Sequence, residues 1–163
     1  GLLGCGAREL HIRPTLSRTT VLEWSHQLRQ HDFREATSLA KRARELSPSL
    51  TRRTTVIVLS DLHDPGSLEA LQVIAQRNDC VALHLEDPAE RGVRGSGFFR
   101  GVEAESGEAF IGRGGRPFVD TSAWKAELSR FAIDYLHLRT DRPILAPLAH
   151  FLQHRGQSAR SVR

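Results

Sequence analysis

Two apolar runs in this chain each end in a cluster of side chains able to do chemistry. Residues 54–59 are followed by Ser60, Asp61, His63 and Asp64, and residues 80–85 by Glu86, Asp87 and Glu90. Asp61 and His63, so spaced after a strand, can face one site and hold a metal there. Glu86, Asp87 and Glu90 have the chemistry of paired carboxylates for acid–base work. The structural alternative is that acidic residues at a strand end cap the next turn or face water, with His63 a loop residue. Among the eight histidines, His150 and His154 share a helix face at a spacing that suits zinc, and His26 and His31 form a second pair. No cysteine or carboxylate cluster completes a tetrahedral set around either, so both pairs read as solvated or half-buried. Cys5 and Cys80 lie among apolar neighbours in expected strands, without metal-ligand spacing, and read as reduced and buried. No Ser-His-Asp or Cys-His word of recognised form occurs.

The elements that position these groups follow from periodicity. Residues 54–59 form a β-branched apolar run, too short for a helix, that suits a parallel strand buried on both faces. Asp64-Pro65 is a cap followed by a proline at the first helical position. Leu68, Leu71, Ile74 and Ala75 then recur at helical spacing, Asn78-Asp79 breaks the helix, and residues 80–85 are a second strand. This is a βαβ unit, whose ligands lie beyond the carboxyl ends of its strands. Upstream, residues 1–7 and 9–13 read as two short strands. A helix capped by Thr20 with Val21, Trp24 and Leu28 on one face comes next. Another starts at Asp32 or Thr37, carries Phe33, Ala36, Leu39, Ala40, Ala43 and Leu46, and stops at Ser47-Pro48-Ser49. Downstream, residues 98–103 and 108–112 flank a turn at Glu105-Ser106-Gly107 and predict a hairpin. Gly112, Gly114 and Gly115 follow a hairpin rather than a strand that opens a helix, so they do not read as a phosphate cradle. Residues 120–122 cap a helix through Leu128 and Phe131. Residues 132–139 are a final strand. The last helix points Ile144, Leu145, Leu148, Phe151 and Leu152 inward.

Composition bounds the class. With 39% hydrophobic and 26% charged residues over 163 positions, the chain is an ordinary globular domain with enough length for a core. It holds no run that could span a membrane and no secretory signal. The net charge of +4 is scattered. Residues 156–163 read as a frayed basic tail, without the aromatic interleaving of a nucleic-acid arm.

In order and spacing, several words of the chain resemble one bacterial family, the domain of unknown function 58, with its von Willebrand factor A-like domain. They are GLLGCGARELHIRPT at the start, VIVLSDLHDP at 56–65, AQRND at 75–79 and CVALHLEDPAER at 80–91. Further along come the hairpin with ESGE at 105–108, FVDTS at 118–122 and IDYLHLRTDRPILAPLAHFLQHR at 133–155. The resemblance implies an α/β, Rossmann-like, mainly parallel sheet flanked by helices, with the hairpin as an elaboration. It implies a single domain over residues 1–155, a cytoplasmic setting, and non-catalytic protein–protein interaction. The partner implied is a MoxR-type AAA+ ATPase, commonly encoded beside such proteins, in a chaperone-like or assembly role.

Von Willebrand A-like domains carry a metal-ion-dependent adhesion site that suits Mg²⁺, with oxygen ligands and retained waters. By position, Asp61 matches the Asp after the fourth strand, and Thr37 matches the loop Thr. The D-x-S-x-S segment is absent, together with the first strand and helix, so the site reads as degenerate or incomplete, and Mg²⁺ belongs to the full-length protein. The chain holds no Met and opens inside what reads as a strand, so a piece of a longer polypeptide is expected. Its unpaired strands are then filled by preceding residues, by a partner, or by a second copy in a homodimer. Ser60-Asp61-Leu62-His63 is also similar to the first motif of calcineurin-like metallophosphoesterases. That alternative is a metal-dependent hydrolase built on Asp61 and His63, but the family's later Gly-Asp, Gly-Asn-His and Gly-His-x-His words are missing.

Overall fold

The computed structural model describes residues 1–6, 10–31, 37–88, 98–102, 109–113 and 121–158. In chain order the elements are β1 (Leu2–Leu3), β2 (His11–Ile12), α1 (Arg18–Gln30), α2 (Leu39–Leu46), a 3₁₀ turn (Ser47–Ser49), β3 (Thr55–Ser60) and α3 (Ser67–Ala75). Then follow β4 (Asp79–Glu86), β5 (Phe98–Val102), β6 (Ala109–Arg113), α4 (Thr121–Arg130), β7 (Asp134–Arg139) and α5 (Leu145–Ser158).

The centre is a three-stranded parallel sheet in the order β3-β4-β7. Val56 pairs with Cys80 and Leu59 with Leu83, while on the other side of β4 Leu83 pairs with Leu136 and Leu85 with Leu138. The βαβ unit is therefore present, and the chain is a mixed α/β domain with a Rossmann-like parallel sheet flanked by helices. Helices α2 and α3 pack together over one face of the sheet. They bring Leu39 and Ala43 against Ala70, Leu71 and Ile74, with Val58, Cys80 and Ala82 beneath and Leu128 and Ile133 from the α4–β7 corner. Leu71 is fully buried, worth about 1.5–3 kcal/mol over leaving it in water. Gly66 makes the close approach of the two helices possible: a Cβ there would lie 2.5 Å from the Ala40 Cβ.

At the amino ends of the strands, Arg155 of α5 reaches back to the sheet. Its Nε donates to Asp134 Oδ2 at 3.0 Å and its Nη2 to Asp79 Oδ1, while Thr55 Oγ1 donates to Asp79 Oδ2 at 2.9 Å. One guanidinium thus ties the last helix to the starts of β4 and β7.

Several expectations are corrected. β3 is not buried on both faces: Val58 is 9% exposed, but Ile57 is 45% and Leu59 61% exposed. The reason is its place at the edge of the described sheet, where α2 and α3 cover only the Val56–Val58 face. β1 is short and pairs antiparallel with β2, Leu2 opposite Ile12. α1 starts a turn earlier than expected because Ser17, not Thr20, is the cap. No residue of α1 is buried, and Val21 and Leu22 are exposed. α2 begins after Ser38, which leaves Thr37 in the loop before it, and Asp32, Phe33 and Ala36 lie outside the described residues. α3 begins at Ser67 rather than Pro65, because Asp64 makes a turn of its own by accepting from Gly66 N at 2.9 Å. The last strand starts at Asp134; Ala132, at φ 54°, belongs to the turn that ends α4. Leu145 and Leu152, expected inward, are exposed, and so is Phe131. α5 runs through Ser158, so residues 156–158 are helix rather than tail. Cys80 is buried in β4, whereas Cys5 is half-buried and lies beyond β1. The hairpin pairs Phe98 with Arg113 and Val102 with Ala109; its turn at 105–107 lies outside the described residues. Gly101 sits under the Phe110 ring, where a Cβ would meet a ring carbon at 2.6 Å.

Candidate functional site

The carboxyl ends of β3 and β4 carry a second cluster of polar groups, apart from the one at the amino ends. After Ser60 the chain turns sharply. Leu62 N donates to Ser60 Oγ at 2.9 Å, and Asp61 Oδ1 accepts from His63 N at 3.1 Å. Leu62 takes a left-handed φ of 60° while its side chain stays in the core at 4% exposure. That conformation is costly for a bulky residue, and the burial of Leu62 offsets it. Asp64 joins two elements: besides the bond from Gly66 N, its Oδ2 accepts from Ala40 N at 3.5 Å. A carboxylate at this place satisfies an orphan donor in the first turn of α2 and suits the positive end of its dipole. The loop carrying Asp61 and the helix following Thr37 therefore belong to one end of the domain.

The site's buried part comes from strand interiors. β4 and β7 carry the same three-residue word, Leu83-His84-Leu85 and Leu136-His137-Leu138, paired residue for residue. His84 is fully buried. Its Nδ1 shares a 2.7 Å hydrogen bond with the Tyr135 hydroxyl, and its ring lies 5.2 Å from that of His137, centroid to centroid. His137 Nε2 is 2.5 Å from Glu86 Oε2, though not aligned as a hydrogen bond. His84 Nε2 is buried without a partner. Burial, reinforced by His137, holds His84 below the usual histidine range. Burial and then the Glu86 charge push Tyr135 up to about 12. At neutral pH this is thus a neutral imidazole hydrogen-bonded to an intact phenol. Its burial makes it a polar element of the core rather than a group open to substrate.

Of the groups read from the sequence, the structure places Ser60, Asp61, His63 and Asp64 in one turn after β3, with His63 exposed. Glu86 ends β4 and is buried, Asp87 is exposed beside it, and Glu90 lies outside the described residues. Gly114 and Gly115 lie outside them too. Thr37 is exposed in the loop before α2. Asp61 and Thr37 offer the hard oxygens that Mg²⁺ takes, but two side chains fall well short of its shell of about six ligands. Among the described residues no three His, Cys, Asp or Glu side chains gather as a metal-holding group. His150 and His154 do share a helix face. They stack on each other at 4.2 Å, and His154 Nδ1 bonds back to the His150 carbonyl. Sequence reasoning missed His84, Tyr135 and His137. The repeated Leu-His-Leu word in two expected strands was the signal that could have found them.

No helix among the described residues is long and apolar enough to cross a membrane. Comparison with curated proteins and with solved structures gave no match. A family model described as "Protein of unknown function DUF58" matches residues 1–121. That stretch takes in the opening strands, the βαβ unit and the hairpin, while the resembling words at 133–155 fall beyond it. With most of its length so matched, the chain belongs to the family of proteins of unknown function DUF58.

Proposed function

We propose that this chain is a non-catalytic protein–protein interaction domain working through the exposed flank of β3. One observation carries the reading. Ile57 and Leu59 stand 45% and 61% exposed on a strand whose other side is core, and that strand lies at the edge of the described sheet. Natural edge strands are blunted by lysine, proline or a bulge; residues 55–60, Thr-Val-Ile-Val-Leu-Ser, contain none of the first two and pair with β4 without interruption. An apolar strand left open in this way is a template for a partner.

The partner suggested by the resemblance is a MoxR-type AAA+ ATPase in a cytoplasmic, chaperone-like or assembly role, with the adhesion site around Asp61 and Thr37 degenerate or incomplete in this chain. Binding to a purified MoxR-type AAA+ ATPase, measured by biolayer interferometry, tests it. The reading expects saturable binding that is lost in Ile57→Lys/Leu59→Lys and kept in Lys125→Glu, a control at an exposed position on α4. Equal binding by both variants, or none by the parent chain, contradicts it.

A further inference from the structure

We infer that His150 and His154 form a two-nitrogen site on α5 for a divalent transition metal of the Cu²⁺, Ni²⁺ and Zn²⁺ class. The inference uses no residue of β3 and stands apart from the interaction reading. The two histidines are four residues apart in α5, a spacing at which helix side chains meet. Their rings stack with centroids 4.2 Å apart and 26° between planes, and both residues are exposed. The half-buried Ile144, Leu148, Phe151 and Arg155 recur on a different stripe of the helix, so the pair lies off the side that packs against the sheet. Arg155, one residue beyond His154, is held by Asp134 and Asp79. The turn that carries the pair is therefore anchored.

The state of its nitrogens sets this pair apart. His154 Nδ1 lies 2.7 Å from the His150 carbonyl oxygen. A carbonyl only accepts, so Nδ1 carries the hydrogen, and in the neutral ring Nε2 then holds a bare lone pair. Metal-ligating histidines are held in the same way, the second ring N–H donating to a carbonyl or carboxylate. The other histidines differ. His26 Nε2 is 2.9 Å from the Gln30 side-chain amide nitrogen, which takes up its lone pair, and His31 lies past the end of α1. His84 is fully buried with Nδ1 on Tyr135, and His137 Nε2 lies against Glu86. On tetrahedral Zn²⁺, with Zn–N of about 2.0–2.1 Å, two donors stand about 3.3 Å apart. Opening the stacked rings about χ2, a broad torsion in histidine, turns their lone pairs onto one ion, and water fills its remaining positions. Imidazole selects this class of metal over Mg²⁺ and Ca²⁺; within it Cu²⁺ binds tightest.

Calorimetric titration of the untagged 163-residue chain with Ni²⁺ and Zn²⁺ tests this, with circular dichroism confirming that each variant is folded. The expected result is one ion per chain, with Mg²⁺ giving no heat that depends on the pair. His150→Gln alone and His154→Gln alone should each weaken binding by at least about tenfold, since even an outer-shell partner of a metal ligand is worth that much. The double variant should abolish it. Metal and proton compete for the same lone pair, so affinity should fall as pH is lowered. A second readout needs no variant: on adding Zn²⁺ to the parent chain, the ring nitrogen NMR signals of His150 and His154 should shift together while those of His26 and His84 stay in place. Binding that survives the double variant, single variants as tight as the parent, shifts confined to His26 or His84, or no binding of either metal overturns the inference.

Discussion

β3 and β4 are neighbours in one sheet, parallel, in unbroken register and nearly equally apolar, yet they meet different surroundings. In β4 every residue from Cys80 to His84 is buried, with β3 on one side and β7 on the other. In β3 only Val58 is buried, and every second side chain faces outward. An apolar run therefore states what a strand tolerates, not what covers it. Composition made both strands interior; topology made one of them an edge among the described residues. The contrast carries the functional reading, because an interior-type strand at an edge is a surface awaiting a partner.

The largest expected effect tests the contrast directly. Leu83, 5% exposed in β4, pairs with Leu59, 61% exposed in β3. Leu83→Ala should cost about 2–5 kcal/mol in urea unfolding, as cavity-forming core truncations do. Leu59→Ala should stay within about 0.5 kcal/mol under dilute conditions, as surface substitutions do. Similar losses at both positions would mean that the outer face of β3 is covered.

The next effect concerns the buried polar group that β4 carries and β3 lacks. Tyr135→Phe removes the partner of His84 Nδ1 and should cost about 1–3 kcal/mol, the penalty of a buried polar atom left unpaired. Adding His84→Leu should recover most of that loss. A double variant no better than the single would show that the histidine stabilises by other means.

Arg155→Ala should cost less, about 1–2 kcal/mol, because its contacts with Asp79 and Asp134 are charge-assisted but half-open to water. The loss should shrink in high salt and should be read as a lower melting temperature with β3 and β4 still paired.

The smallest effect is in pH. His84 is held below the usual histidine range, first by burial, so the unfolded chain takes up this proton more readily than the folded one. Its contribution is full above about pH 6.5 and falls as pH drops from there through the depressed folded value. Tyr135 works in the opposite sense: pushed up to about 12, its contribution is full below about pH 10 and falls as pH rises towards that value. The sequence has one tyrosine, so tyrosinate absorbance follows Tyr135 alone. His84→Leu should flatten the acid limb of stability against pH and leave the alkaline limb in place.

Much of the fold was legible in the sequence. The runs at 54–59 and 80–85 became parallel neighbours, the helix between them kept Leu71 and Ile74 inward, and the hairpin lies where its alternation put it. Helix starts were less legible: Ser17 and Thr20 are both good caps, and only the local geometry chose between them. Asp64 looked like the cap of its own helix, but its second oxygen serves the first turn of α2, a contact between residues distant in the chain. The site was half legible. Ser60, Asp61, His63 and Asp64 stood out as a cluster after a strand, whereas His84 and His137 sat inside apolar runs and gained meaning only when β4 and β7 lay side by side.

The central claim is that the outer edge of β3, open among the described residues, is closed by a protein partner. Residue-resolved amide exchange with and without an excess of a purified MoxR-type AAA+ ATPase tests it most directly. Alone, the Ile57 and Leu59 amides should exchange fast while those of Val56 and Val58, bonded to β4, stay protected; with the ATPase all four should be protected. Equal protection of all four in the chain alone would contradict the account, since it would mean that the edge is already covered without a partner.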